Sequence, residues 1–117
     1  MSTAADILAA VLGLLFLISG GFKLSGIKMI RDNFRLWRYP DSFRVFTGVW
    51  EVAGAALLLI GIAIHGAGLA GAILILTAML GAVYTHVVRV PEPKAVALPA
   101  VLLATSAAAA ALLAATL

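Results

Sequence analysis

The sequence predicts an all-α protein: a bundle of four transmembrane helices, with an interfacial amphipathic segment between the first and second helices. Three observations carry that expectation. The 117-residue chain is 64% hydrophobic and 11% charged, with a mean hydropathy of +1.17, which leaves too little charge to cover a soluble surface. Its apolar residues gather in four runs, at residues 4–22, 43–64, 67–88 and 98–117, each close to the roughly 20 residues that cross a hydrocarbon core. Every lysine and arginine falls at or between the ends of runs one and two, or between runs three and four. The runs use nearly the whole length, so residues 1–117 form a single membrane domain with no room for a soluble catalytic one.

Taken in order, the first run follows a start without lysine or arginine, and its apolar stretch from Ile7 to Phe22 is long for the core of a cleaved signal. It reads as a retained first helix. The polar stretch after it has a helical pattern. Ile27, Ile30, Phe34 and Trp37 recur at three- and four-residue spacing, and Lys28, Arg31, Arg35 and Arg38 run beside them. An apolar stripe next to a basic one is the signature of a helix lying in the headgroup region, so these basic residues and Trp37 are candidate anchors to anionic lipid. Pro40 ends that helix, and Asp41 is a candidate N-cap for the second span.

Only His65 and Gly66 separate spans two and three, which calls for a tight antiparallel hairpin. Between spans three and four, Pro91 and Pro93 break any continuous helix, and Pro99 fits the first turn of the fourth span. Small residues such as Gly54, Ala55, Gly71, Ala72, Ala104 and Ala108 allow helices to approach closely in lipid. With four spans, both basic loops share one side. The positive-inside rule makes that side the cytoplasm, with both termini outside and the inner cell membrane as the location.

The pI of about 9.8 does not imply nucleic acid, because the basic residues lie between apolar spans rather than on a polar face. Without cysteine, disulfide, thiol-redox and cysteine-ligated metal chemistry are excluded. His65 and His86 sit at opposite ends of the third span, about 30 Å apart by helical rise, too far to share a metal or a haem. No phosphate-binding glycine loop or nucleophile elbow occurs, so no metal site and no catalytic residue is assigned.

Glu51 is the most informative residue. It lies about 12 Å below the basic end of the second span by helical rise, where an ionised carboxylate must face the bundle interior. Lys23 and His86 reach the same depth, and Tyr39, Tyr84, Thr85 and Trp50 add hydroxyl and ring surface there. The convergence has two readings. One is a polar pocket for a headgroup, a quinone ring or a proton, with Gly48 and Ala55 leaving space on the face of Glu51. The other is a structural ion pair of Glu51 with Lys23 or Arg89.

The motif order is itself informative. Gly20-Gly21-Phe22-Lys23-Leu24 is followed by Trp37-Arg38-Tyr39-Pro40, by Gly48-Val49-Trp50-Glu51 with Gly54-Ala55, by Met79-Leu80-Gly81-Ala82 with Thr85-His86, and by Pro99. This order resembles the DoxX-like family over nearly the whole chain. Lys23, Tyr39, Pro40, Gly48, Glu51, Gly81, Ala82 and His86 match that family's characteristic positions. The resemblance implies a four-helix membrane bundle, and a place among small membrane subunits of thiosulfate:quinone oxidoreductases and other redox or assembly systems.

The functional expectation is therefore a membrane subunit or accessory protein of a redox or envelope complex. It would work with a membrane-protein partner or as a homo-oligomer, its pocket facing quinone or lipid. The alternative is a small proton-coupled transporter using Glu51. A stand-alone enzyme is the least supported, for lack of a nucleophile constellation or metal set.

Overall fold

The computed structural model describes residues 3–64, 66–89 and 93–115. Its first helix, α1 (Thr3–Ser25), turns at Gly26 into the short amphipathic α2 (Lys28–Leu36). The second span is α3 (Asp41–Ile60), and the third is α4 (Ala67–Tyr84) continued by a π-helical turn, Thr85–Arg89. The fourth is α5 (Pro93–Ala115). Four of these helices are long and apolar enough to cross a membrane, and α2 falls where the paired apolar and basic stripes place a helix.

The helices are laid side by side: α1 against α3, α3 against α4, and α4 against α5, with a shorter contact closing α5 onto α1. The core runs through Leu12 and Phe16 of α1, Ala55 and Leu58 of α3, Ala72 and Ile75 of α4, and Ala109 and Leu113 of α5. Large apolar side chains such as Ile7, Val11, Ile18, Val49 and Val101 point outward. An outward apolar surface is the inverse of a soluble protein and is what hydrocarbon solvates.

In lipid no hydrophobic force drives helices together, so contact depends on how closely their backbones approach. Two glycines set that approach. A Cβ at Gly20 of α1 would lie 2.7 Å from Val52 Cγ2 and 2.9 Å from the Gly48 carbonyl oxygen of α3. One at Gly71 of α4 would lie 2.6 Å from both the Gly54 carbonyl oxygen and the Leu58 nitrogen. Backbone atoms cannot swing aside, so these positions admit only glycine at the observed spacing.

Three boundaries differ from the sequence expectation. First, α3 ends at Ile60 rather than residue 64, and residues 61–64 continue in hydrogen-bonded turns. Gly61 lies against Gly68 at this corner, a Cβ there falling 2.3 Å from the Gly68 Cα, so the hairpin closes earlier than His65-Gly66; His65 lies outside the described residues. Second, α5 opens at Pro93 and not at residue 98, which places Pro99 inside the helix. Proline is tolerated as a first helical residue. Pro99 then removes one backbone bond, a loss that spanning helices accommodate where neighbours re-satisfy the freed carbonyl. Pro91 lies outside the described residues.

Third, Asp41 does not cap α3. The cap position is Pro40, without a side-chain hydrogen bond, and Asp41 is the first helical residue. Its carboxylate instead accepts from Arg44 Nε at 2.9 Å and Nη2 at 3.0 Å.

Gly71→Ala is expected to destabilise the bundle by about 1–3 kcal/mol, as overpacking does in a filled core. Gly21→Ala, where a Cβ meets nothing within 4 Å, should leave stability unchanged or slightly raised. Thermal unfolding in detergent compares the two directly.

Candidate functional site

The functional chemistry gathers at the basic end of the bundle, beginning with a triad between α1 and α3 in which Glu51 is buried and Ser19 and Lys23 are half-buried. Lys23 Nζ lies 2.5 Å from Glu51 Oε2 and donates to Ser19 Oγ at 3.1 Å. The Ser19 hydroxyl donates to Glu51 Oε1 at 2.9 Å. Ser19 and Lys23 share a face because they are four residues apart on a helix. Glu51 is 1% exposed, and both of its oxygens are engaged. Helix-bound Arg44 supports the arrangement: its Nη1 donates to the Lys23 carbonyl, one of the carbonyls left open at the end of α1.

The structure thus shows the ion pair with Lys23 and not the one with Arg89. Arg89 turns toward α2, donating from Nε to the Trp37 carbonyl at 3.0 Å and from Nη2 to the Arg38 carbonyl at 2.7 Å. Its guanidinium also lies 4.3 Å from the Tyr39 ring centre, a cation–π contact. The space expected beside Gly48 is absent. A Cβ there would lie 2.9 Å from Leu24 Cγ, so this small residue admits α1 and leaves no void.

The open volume lies on the other side of α3. A cavity of about 460 Å³ is bounded by α2, α3, α4 and the π-helical turn, with the Lys23–Glu51 pair on its wall. That volume falls within the range of small-molecule sites, roughly 300–1,000 Å³. Lys23, Tyr39, Glu51, Tyr84, Thr85 and His86 all line it. So does Trp37, whose spacing had placed it among the lipid anchors; its ring meets His86 edge-on at 5.1 Å. Lys28, Arg31, Arg35 and Arg38 are exposed.

The roof of the cavity follows from how α2 ends. The Tyr39 N–H reaches back to the Phe34 carbonyl at 2.9 Å, and the Arg38 N–H to the Arg35 carbonyl at 3.0 Å. This is a Schellman motif, and it puts Arg38 at φ 63°, a left-handed conformation usually given to glycine. The reversal carries Tyr39 inward. Thr85 gives its proton to the Gly81 carbonyl at 2.9 Å, so the 2.7 Å bond between Tyr39 and Thr85 hydroxyls has Tyr39 as its donor. π-Helical turns often mark functional positions; this one presents Thr85, His86 and Arg89 to the α2 end.

Phe43, Phe46, Thr47, Thr77 and Ala78 join the wall without having been among the candidate residues, although helical spacing carries their signal. Phe43, Phe46, Thr47 and Trp50 line the cavity at helical three- and four-residue spacing. Trp50 is held by its indole N–H, which donates to the Leu74 carbonyl at 2.8 Å. Thr77, Ala78 and Tyr84 of α4 and Thr85 of the π-helical turn line the cavity, and Gly81 lies among them. A Cβ at Gly81 would meet nothing within 4 Å, so glycine here leaves room in the wall.

Together these features define a small four-span helical membrane protein with an aromatic cavity beside a buried ion pair. Residues 7–115 match the model of the DoxX-like family, and the chain belongs to that family. It is 30% identical over 88 residues to a Bacillus subtilis (strain 168) protein described as uncharacterized protein YdgD, the match covering 74% of this chain and 77% of that one. No solved structure matches the chain.

A double-mutant cycle measures what the pair contributes. Glu51→Gln and Lys23→Met each leave a buried polar partner uncompensated and are expected to cost about 3–5 kcal/mol when made singly. The double variant should recover much of the loss. Thermal midpoint and yield in detergent are the readouts, and additive losses would show that the two residues act separately.

Proposed function

We propose that the cavity binds a lipid-soluble ring compound, with a quinone as the ligand of fitting chemistry, and that the protein serves as a membrane subunit or accessory of a redox or envelope complex. The observation that carries this reading is the cavity itself: seven aromatic residues, Phe34, Trp37, Tyr39, Phe43, Phe46, Trp50 and Tyr84, share its lining with the Lys23–Glu51 pair. Aromatic faces stack against planar rings, and a few convergent polar groups orient what the apolar wall holds. Family membership supports a membrane role. The proton-coupled transporter reading has less support, because both Glu51 oxygens are already engaged, one by an ammonium and one by a hydroxyl.

In this proposal the basic end faces the cytoplasm, placing the cavity in the inner leaflet, where the exposed stripe of Lys28, Arg31, Arg35 and Arg38 meets anionic headgroups. A protein partner in the membrane completes the function.

Gly81→Leu tests the site, because Gly81 lines the cavity and a Cβ there meets nothing within 4 Å. It is expected to lower affinity for a short-chain quinone at least tenfold, read by quenching of Trp37 and Trp50 fluorescence, with the thermal midpoint unchanged. Wild-type affinity in that variant would place the ligand elsewhere.

Orientation has a separate test, since the chain has no cysteine. In intact cells an impermeant thiol reagent should label Gly66→Cys and spare Asp32→Cys; the reverse pattern would invert the topology.

A further inference from the structure

A second opening lies on the opposite side of the ion pair. α1 and α5 share the core at the end of the bundle away from the basic loops, through Ala5, Ala9 and Leu12 of α1 and Ala109 and Leu113 of α5. Toward the basic end they separate. The gap is a groove of about 320 Å³ lined by Leu15, Phe16, Ile18 and Phe22 of α1, Ile30 of α2, and Leu98 and Leu102 of α5, with Ser19 and Lys23 at its inner wall. The rim is open to the outside: Ile18 is 59% exposed and Leu98 67%.

We propose that this groove is a lipid-binding site that takes one acyl chain of an anionic phospholipid. Its walls are almost wholly aliphatic or aromatic, and at membrane depth neither water nor a void is a favourable filling. A hydrocarbon chain entering from the bilayer matches both the shape and the chemistry. The charge at its mouth selects the headgroup. On α5, Lys94 precedes Leu98 by four residues and Leu102 by eight, so it continues the groove-lining row toward the basic end, and it is exposed. On α2 the basic stripe runs beside Ile30. All eight lysines and arginines of the chain belong to this end. Against these eight stand four acids, Asp32, Asp41, Glu51 and Glu92, of which Asp41 and Glu51 are already paired, so this end keeps a net positive charge. A phosphodiester at the mouth of the groove therefore meets uncompensated positive charge. The chain beneath it would cover Ser19 and Lys23 and keep water from the ion pair.

Native mass spectrometry of the full chain, released from detergent after incubation with equimolar phosphatidylglycerol and phosphatidylcholine, tests the proposal. One retained phosphatidylglycerol per chain is expected, favoured several-fold over phosphatidylcholine. Lys94→Gln should reduce that preference several-fold. Ile18→Trp, which fills the groove from its rim, should abolish retention, whereas Val49→Trp, equally outward-facing on α3 and lining neither cavity, should keep it. Equal retention of the two lipids, an unchanged preference in Lys94→Gln, or retained lipid in a folded Ile18→Trp would each overturn the proposal. If Ile18→Trp does not fold, brominated phosphatidylglycerol decides instead. It should quench the indole of Phe22→Trp beyond its mole fraction but that of Val45→Trp only in proportion to it, both in a Trp37→Phe, Trp50→Phe background; equal quenching overturns the proposal.

Discussion

A carboxylate at this depth is costly unless it is paired, and the Lys23–Glu51 contact supplies the partner. Much of the basic end is arranged around that requirement. Opposite charges in a low-dielectric interior attract strongly but have each lost their hydration, and the geometry must be good for the balance to favour the pair. Here Ser19 supplies a hydroxyl to the second carboxylate oxygen, and Arg44 holds the Lys23 carbonyl from α3. The close approach of α1 and α3 at Gly20 and Gly48 brings the ammonium within reach of the acid. Loosening any of these would widen the spacing on which the charge contact depends.

The pair also divides the basic end into two compartments of different character. On one side lies the aromatic cavity between α3 and α4; on the other lies the aliphatic groove between α1 and α5, and Lys23 lines both. A charged wall between two apolar spaces lets each have its own occupant, while the helices forming the wall stay packed. The cavity has a second boundary in the turn after α2. Arg89 holds it through two carbonyls and a ring face, and Tyr39 holds it through Thr85. Arg38 pays for that turn with its left-handed backbone, a conformation costing of order 1 kcal/mol or more in a residue other than glycine. Strain of this kind persists where surrounding contacts over-determine the conformation, as they do here.

Much of the architecture was legible before any coordinates. Hydropathy and length set the four spans, because hydrocarbon imposes the same requirement on every segment that crosses it. The three-and-four spacing of Ile30, Phe34 and Trp37 located α2. Depth along alternating helices brought Lys23, Tyr39, Glu51, Tyr84, Thr85 and His86 to one level, and the structure places all six on one cavity. The weaker inferences concerned details that local chemistry does not fix. Asp41 has the side chain of an N-cap, yet Arg44, one turn on, competes for its carboxylate more strongly. Pro99 is as good a helix starter as Pro93, and the sequence alone does not choose between them.

What the sequence determined by itself was therefore the solvent of each segment: which stretches cross hydrocarbon, which do not, and which charges must stay at one end. The period and transfer energy of a helix in hydrocarbon are local properties and can be read residue by residue. Which cation Glu51 takes, and on which side of α3 the cavity opens, only the tertiary structure decided. Both depend on the rotation of α3 about its axis. That rotation is fixed by which small residues meet which backbone: Gly48 on Gly20 and Gly54 on Gly71. Packing of this kind is a property of helix pairs, and no single helix carries it.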